Sequence, residues 1–245
     1  MSGLPDARVE ILADAEVLAQ HAADWLLGLS RAKAGVFSVA LSGGSTPRLL
    51  YELLAAPAYR DVFPWSRTHW FWGDERFVPK DDPASNDRMV REALLAHAPI
   101  PDANIHPIPT EGITPEAAAA AYERELKSFY GASALKAERP LFDVVLLGLG
   151  PDGHTASLFP KTAVLEERQR WVAAVIGAKP EPRITLTYPA LESNRETAFL
   201  VAGEGKRSAL ERVLRGDRDL PAACLRPLGT LRFLVDRAAA PEARR

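Results

Sequence analysis

A chain of 245 residues with 47% apolar side chains is long and apolar enough to bury a full core. Its formal charge of -2 offers no broad basic surface to nucleic acid or to an anionic membrane. The single cysteine, Cys224, excludes an intrachain disulfide and any cysteine-based metal cage and fits a reducing, cytoplasmic setting, and the sequence predicts neither a membrane span nor a secretory signal.

From the N-terminus, Arg8 to Leu12 reads as an edge strand. Asp14 to Leu29 has helical spacing, with Val17, Leu18, Trp25 and Leu26 on or near one face. Val36 to Leu41 is a strand and Arg48 to Leu54 a helix. Thr68 to Trp72 is a strand ending at Gly73. Asn86 to His97 is spaced as an amphipathic helix, and Thr114-Pro115-Glu116 opens another that runs through Phe129. Phe142 to Leu147 is an apolar run that predicts a buried strand. Trp171 to Ile176, Arg183 to Thr187 and Thr197 to Ala202 read as further strands, Gly205 to Leu214 as a helix and Leu231 to Val235 as a last strand. The two strands of the Arg183 to Ala202 region lie close together, which predicts some antiparallel pairing. Ala238 to Arg245 is expected to fray. Repeated strand-then-helix order with short connections predicts an α/β fold, a mostly parallel sheet with helices on both faces. No Ser/Gly linker or charged tract divides the chain, so residues 1–245 are expected to form one domain.

Chemistry-bearing residues concentrate where strands end. Open α/β sheets bind ligands at the carboxyl ends of their strands. The strand before residue 42 runs into Ser42-Gly43-Gly44-Ser45-Thr46-Pro47. Thr46 fits an N-cap and Pro47 the first helical position. Free N–H groups at a helix start, flanked by hydroxyls and glycines, form an anion site. The loop lacks both P-loop spacing and the Gly-x-Gly-x-x-Gly order, so a compact phosphate suits it better than a nucleotide. Taken alone, it also suits a plain tight turn.

Gly73-Asp74-Glu75-Arg76 places two carboxylates and a guanidinium at a second strand end. Arg76 can fork onto a phosphate or carboxylate, though a surface turn with a local ion pair is the competing reading. Gly203-Glu204-Gly205-Lys206-Arg207 follows a third strand. Lys206 either holds an anion as a point charge or is a solvated helix-start lysine. The richest stretch is Gly148 to Pro160, where Gly150, Asp152, Gly153 and His154 follow a buried strand. His154 is the side chain best suited to move a proton near neutral pH. Asp152 and His154 lack a third metal ligand in sequence, so no metal is expected. Ser157 lacks the Gly-x-Ser-x-Gly elbow of a nucleophile. His21, His69, His97 and His106 are weaker candidates, set in helical patterns, an aromatic strand and a proline-rich loop.

These loops, in order and spacing, resemble the 6-phosphogluconolactonase family. The resemblance rests on Ser42 to Pro47, Trp72 to Arg76 with Ser85-Asn86, Gly148 to Pro160, Arg183 to Thr187 and Gly203 to Lys206, so it covers nearly the whole chain. It implies a Rossmann-like three-layer sandwich and hydrolysis of 6-phospho-D-glucono-1,5-lactone to 6-phospho-D-gluconate in the oxidative pentose phosphate pathway, without a cofactor. It further implies His154 as general base, with Asp152 orienting it. Ser42, Gly43, Gly44, Ser45, Thr46, Arg76 and Lys206 would hold the phosphate. Asp74, Glu75, Gly150, Gly153 and Arg183 are further candidate substrate contacts. Glucosamine-6-phosphate deaminases share the fold group, but their pattern carries an acidic residue after Asp-Gly-His. Here that stretch ends Ser157-Leu158-Phe159-Pro160, which favours the lactonase. A non-catalytic sugar-phosphate sensor is the rival of another class, usually with a DNA-binding helical domain that has no counterpart here. The expected partner is a small phosphosugar lactone, with no nucleic acid or membrane and with a monomer or small homo-oligomer both open.

Overall fold

The computed structural model describes residues 7–242. The chain runs β1 (Arg8–Leu12), α1 (Ala15–Ala32), β2 (Phe37–Leu41), α2 (Ser45–Ala55), α3 (Pro57–Arg60), β3 (Thr68–Trp72), β4 (Asp74–Arg76) and α4 (Asn86–Val90). It continues through β5 (Ile105–His106), α5 (Pro115–Tyr130), β6 (Phe142–Leu147), β7 (Val172–Val175), β8 (Arg183–Leu186), α6 (Tyr188–Glu192), β9 (Asn194–Val201), α7 (Arg207–Leu214), α8 (Pro221–Cys224) and β10 (Thr230–Asp236). Seven strands form one parallel sheet in the order β1-β10-β9-β6-β2-β3-β5. Helices cover it on both faces, giving the expected three-layer α/β sandwich. A second, three-stranded antiparallel sheet, β4-β8-β7, stands beside it.

The strands follow from their residues. Every residue of β2 and β6 is buried, as expected of central parallel strands covered on both sides. β1 is the edge strand its sequence predicted, and Val9 and Ile11 stay exposed. α1 is capped by Asp14, whose carboxylate accepts from Val17 N–H at 2.8 Å, and it continues three residues past Leu29. Thr114 caps α5 in the same manner, and Gly131 ends it in the left-handed conformation.

Strand order reverses between β2 and β6. From β2 the chain moves outward through β3 to β5, and from β6 it moves the other way through β9 to β10. Right-handed crossovers then leave on opposite faces and a crevice opens between the two strand ends. β2 and β6 share register only at Val39–Val144 and Ala40–Val145. At the amino end Asp143 replaces the missing ladder. Its buried carboxylate accepts from Ser38 N–H at 2.9 Å and Ser38 Oγ at 3.2 Å, and it pairs with Lys33 and with Arg195 at 3.4 Å.

Several expectations need correction. α2 starts at Ser45, with Gly44 rather than Thr46 as N-cap and Pro47 at the third helical position. Gly44 sits at φ +106°, which only glycine takes without strain, and proline is tolerated through the first turn because those N–H groups have no intrahelical acceptor. The Asn86 to His97 helix is α-helical only to Val90. It widens to a π-turn over Arg91–Leu95, with Ala96 N–H bonding five residues back to Arg91. Antiparallel pairing does occur in the Arg183 to Ala202 region, but β8 makes it with β4 and β7 and not with β9. α6 separates β8 from β9, β8 joins the small sheet, and β9 runs parallel between β6 and β10. At the chain's end Ala239 is buried with its N–H on Asp236 at 2.7 Å, so the predicted fraying does not include it. Residues 243–245 of that segment, like residues 1–6, lie outside the described residues.

Removing the Asp143 carboxylate strands Ser38 N–H and two cations, so Asp143→Ala is expected to cost about 3 kcal/mol. The check is a lower urea midpoint with unchanged slope. A midpoint equal to wild type would show that these contacts contribute nothing.

Candidate active site

A cleft of about 230 Å3 opens at the carboxyl ends of β2 and β6. It is walled by the Ser42–Thr46 loop, the Gly148–Gly150 and His154–Ala156 segments, Asp74 and Arg76 of β4, and Lys206 at the start of α7. Strand ends far apart in sequence therefore converge as the topology requires.

On one side stands the imidazole. Gly150 to Gly153 turns back on itself, with Gly153 N–H on Gly150 O at 3.0 Å and Gly150 N–H on His154 O at 2.8 Å. This turn folds Asp152 onto His154, whose Nδ1 contacts Asp152 Oδ1. A side chain at Gly150 would have its Cβ 2.0 Å from His154 Nδ1, so the pair exists only because residue 150 is glycine. Burial raises the Asp152 carboxyl, but hydrogen bonding and charge from His154 outweigh it and leave the group below the ordinary carboxylate range. An ionised Asp152 accepts a hydrogen bond from Nδ1–H, which leaves Nε2 with a free lone pair. The ring packs on Phe159, with centroids 4.8 Å apart. Ala156, also in the wall, is held at φ +46°, a left-handed conformation that costs a non-glycine residue about 1 kcal/mol.

On the other side stand groups whose chemistry suits an anion. The first turn of α2 leaves its N–H groups without intrahelical partners, at the positive end of the helix dipole. Gly43 has no room for a side chain, since a Cβ there would lie 1.9 Å from Asn86 Oδ1. Arg76 and Arg183 are directly opposite on the antiparallel pair β4–β8. Like charges so placed repel. Burial, and then Arg76, push the Arg183 guanidinium down. Nε of each arginine is buried without a hydrogen-bond partner. Arg76 Nη1 is anchored on Ala84 O at 2.7 Å and Arg183 pairs with Glu181 at 3.3 Å.

The cleft thus gathers Ser42, Gly43, Gly44, Ser45, Thr46, Asp74, Arg76, Gly150, His154 and Lys206 of the predicted residues. Four others are not in its wall. Asp152 is behind the imidazole, and Gly153 faces Leu220 at φ +78°. Arg183 lies beside Arg76 on the next strand. Glu75 points away, because alternation along β4 sends it opposite to Asp74 and Arg76. Its carboxylate accepts from the N–H groups of Arg76, Asn86 and Asp87, each at 2.7 Å, and from Ser85 Oγ at 3.1 Å, so it pins the start of α4 and does not line the cleft. Sequence reasoning missed Asn86, Leu200 and Ala202 as wall residues. Asn86 donates to Asp74 O at 2.9 Å, a contact announced only by its place after the Ser85 cap. Ser157 is buried and donates to Asp74 Oδ2 at 2.6 Å, which occupies it structurally. His69 and His106 hydrogen-bond each other at 2.9 Å, with His106 on Glu125 at 2.7 Å, stacked among Phe71 and Phe129 away from the cleft.

Residues 13–232 match the family described as glucosamine-6-phosphate isomerases/6-phosphogluconolactonase. The chain is 43% identical over 241 residues to a 6-phosphogluconolactonase of Nostoc, covering 96% of this chain and 97% of that protein. It is 46% identical over 212 residues to one of Synechocystis, covering 85% of each. The crystal structure of 6-phosphogluconolactonase from Thermotoga maritima superposes with a TM-score of 0.79 at 30% identity, covering 94% of this chain and all of that one. By matched span and by identity, the chain belongs to the glucosamine-6-phosphate isomerase/6-phosphogluconolactonase family.

Proposed function

We infer that the chain is a 6-phosphogluconolactonase, a hydrolase that opens 6-phospho-D-glucono-1,5-lactone to 6-phospho-D-gluconate in the oxidative pentose phosphate pathway. The observation that carries the residue assignment is an imidazole with a free Nε2 facing a cleft whose opposite wall is built for an anion. Among the described residues no helix is long and apolar enough to cross a membrane. We place the protein in the cytoplasm.

The steps follow from those groups. The phosphate docks on the Ser42–Thr46 loop, with Arg76 and Lys206 supplying charge and Arg183 reinforcing Arg76. Docking fixes the lactone carbonyl near His154, and such orientation is worth several kcal/mol. Nε2 takes a proton from water as the water oxygen attacks the carbonyl carbon. The carbonyl oxygen gains negative charge, the ring C–O bond then breaks, and the departing ring oxygen takes the proton from Nε2 to leave a hydroxyl and a carboxylic acid. Asp152 stabilises the imidazolium in between. Asp74, oriented by Ser157 and Asn86, is placed to accept a sugar hydroxyl. Where a deaminase would carry an acidic residue after Asp-Gly-His, this loop ends Ser157-Leu158-Phe159-Pro160, with the Ser157 hydroxyl committed to Asp74 and Phe159 packed on the imidazole.

His154→Ala is expected to lower turnover by about 10²–10⁴-fold while product binding stays within about twofold. A coupled dehydrogenase assay with the uncatalysed opening subtracted measures the first, and titration with 6-phosphogluconate the second. Normal turnover would remove His154 as base. Arg76→Ala should instead weaken 6-phosphogluconate binding about tenfold or more. Unchanged affinity would take Arg76 out of the seat.

Asp152 is held below the ordinary carboxylate range and is therefore ionised at neutral pH, where it orients the ring and balances the charge that His154 takes up during the reaction. Asp152→Asn removes that charge and is expected to lower kcat about tenfold or more while 6-phosphogluconate binding stays within about twofold. An unchanged kcat in the coupled assay would overturn the pairing.

A further inference from the structure

The anion loop is held by a residue that does not line the cleft. Leu41 ends the β2–β3 ladder by accepting from Gly73 N–H at 2.8 Å. Successive peptides of a strand face opposite sides. Ser42 therefore turns its N–H and carbonyl toward β6, beyond the Ala40–Val145 pair where β6 has already diverged. The Tyr51 hydroxyl stands in the vacated place. It accepts from Ser42 N–H at 3.0 Å and donates to Ser42 O at 2.8 Å. Tyr51 belongs to α2 and is fully buried, and burial pushes its phenol well above the ordinary value, so it keeps the proton it donates. The contact closes Ser42 to Tyr51 into a ring that contains Gly43, Gly44, Ser45 and Thr46.

We propose that Tyr51 is a positioning residue for phosphate binding, whose hydroxyl clasps Ser42 and so sets the backbone N–H groups of the Ser42–Thr46 loop for the substrate's phosphate. This rests on the reading of that loop as the phosphate seat. The clasp acts on the phosphate end of the substrate and leaves the His154 loop alone, because His154 is carried by β6 through its own turn. Losing it is therefore a defect in binding a phosphate rather than a general loss of activity.

The test compares Tyr51→Phe with wild type on two substrates, 6-phosphogluconolactone and phosphate-free glucono-1,5-lactone, well below the unfolding midpoint of either protein. Inorganic phosphate serves as an inhibitor of the second reaction. KM for the phosphorylated lactone should rise about tenfold with kcat within about twofold. The kcat/KM for the phosphate-free lactone should stay within about twofold, and inhibition by phosphate should weaken in parallel with the rise in KM. An equal loss on both lactones would mean that Tyr51 only supports the fold, and no change on either would mean that the clasp is idle. Each result overturns the proposal. A wild-type enzyme that handles both lactones alike and ignores phosphate would remove the phosphate seat itself, a failure visible before the variant is examined.

Discussion

The divergence of β2 from β6 is the constraint from which the site follows. Two central strands that share register at only two pairs leave backbone groups that must be satisfied in some other way. Asp143 does this at the amino end, where Ser38 N–H would otherwise be orphaned, and Tyr51 does it at the carboxyl end. Tyr122 does the same for the neighbouring strand. Its hydroxyl accepts from Trp72 N–H at 2.8 Å and donates to Trp72 O at 3.0 Å, beyond the short β5. Side chains thus substitute for strands that stop early, and the space left between the strand ends becomes the cleft.

Polar groups at the mouth are costly to bury, and the structure distributes that cost unevenly. Asp74 and Glu75 are adjacent buried carboxylates with opposite duties. Glu75 is saturated by four donors and anchors α4, whereas Asp74 faces the cleft with Ser157 and Asn86 behind it. Arg76 and Arg183 stand opposite each other with neither Nε satisfied. Their mutual repulsion is offset by the nearby carboxylates of Asp74 and Glu181, so two guanidiniums are kept side by side at the edge of the cleft. The small antiparallel sheet is what holds the two guanidiniums in that relation.

The legible parts of this protein were those encoded over short stretches. β2 and β6 are apolar runs that declare a doubly covered strand, and the Asp152–His154 pair is a local turn whose glycines are visible in the sequence. The illegible parts depend on residues brought together from a distance. Asp74 to Arg76 is too short to show alternation, so it read as the end of the preceding strand, with a surface turn as the rival, until β8 supplied its partner. That same pairing decides which carboxylate faces the cleft, and Glu75 was consequently misplaced. Thr46 and Pro47 fit a helix start by composition, yet Gly44 can reach a backbone angle closed to both and so begins α2 earlier. Asn86 fills the space beside Gly43, a fit that no periodicity records.

The separation of the two loops has a consequence for how such an enzyme diverges. The Ser42–Thr46 loop is set by β2 and α2, and the His154 loop by β6 and its own glycine turn, with the cleft as their meeting place. On the reading proposed above, recognition of the phosphate and the chemistry performed beside it would be inherited on different segments of chain. Substitutions after His154 can alter the acid–base complement while the address written by the first loop stays intact. A family whose description spans both isomerases and lactonases is what such a division of labour permits. Retaining a substrate handle while exchanging the reaction is an evolutionary freedom that arises here from two strands parting.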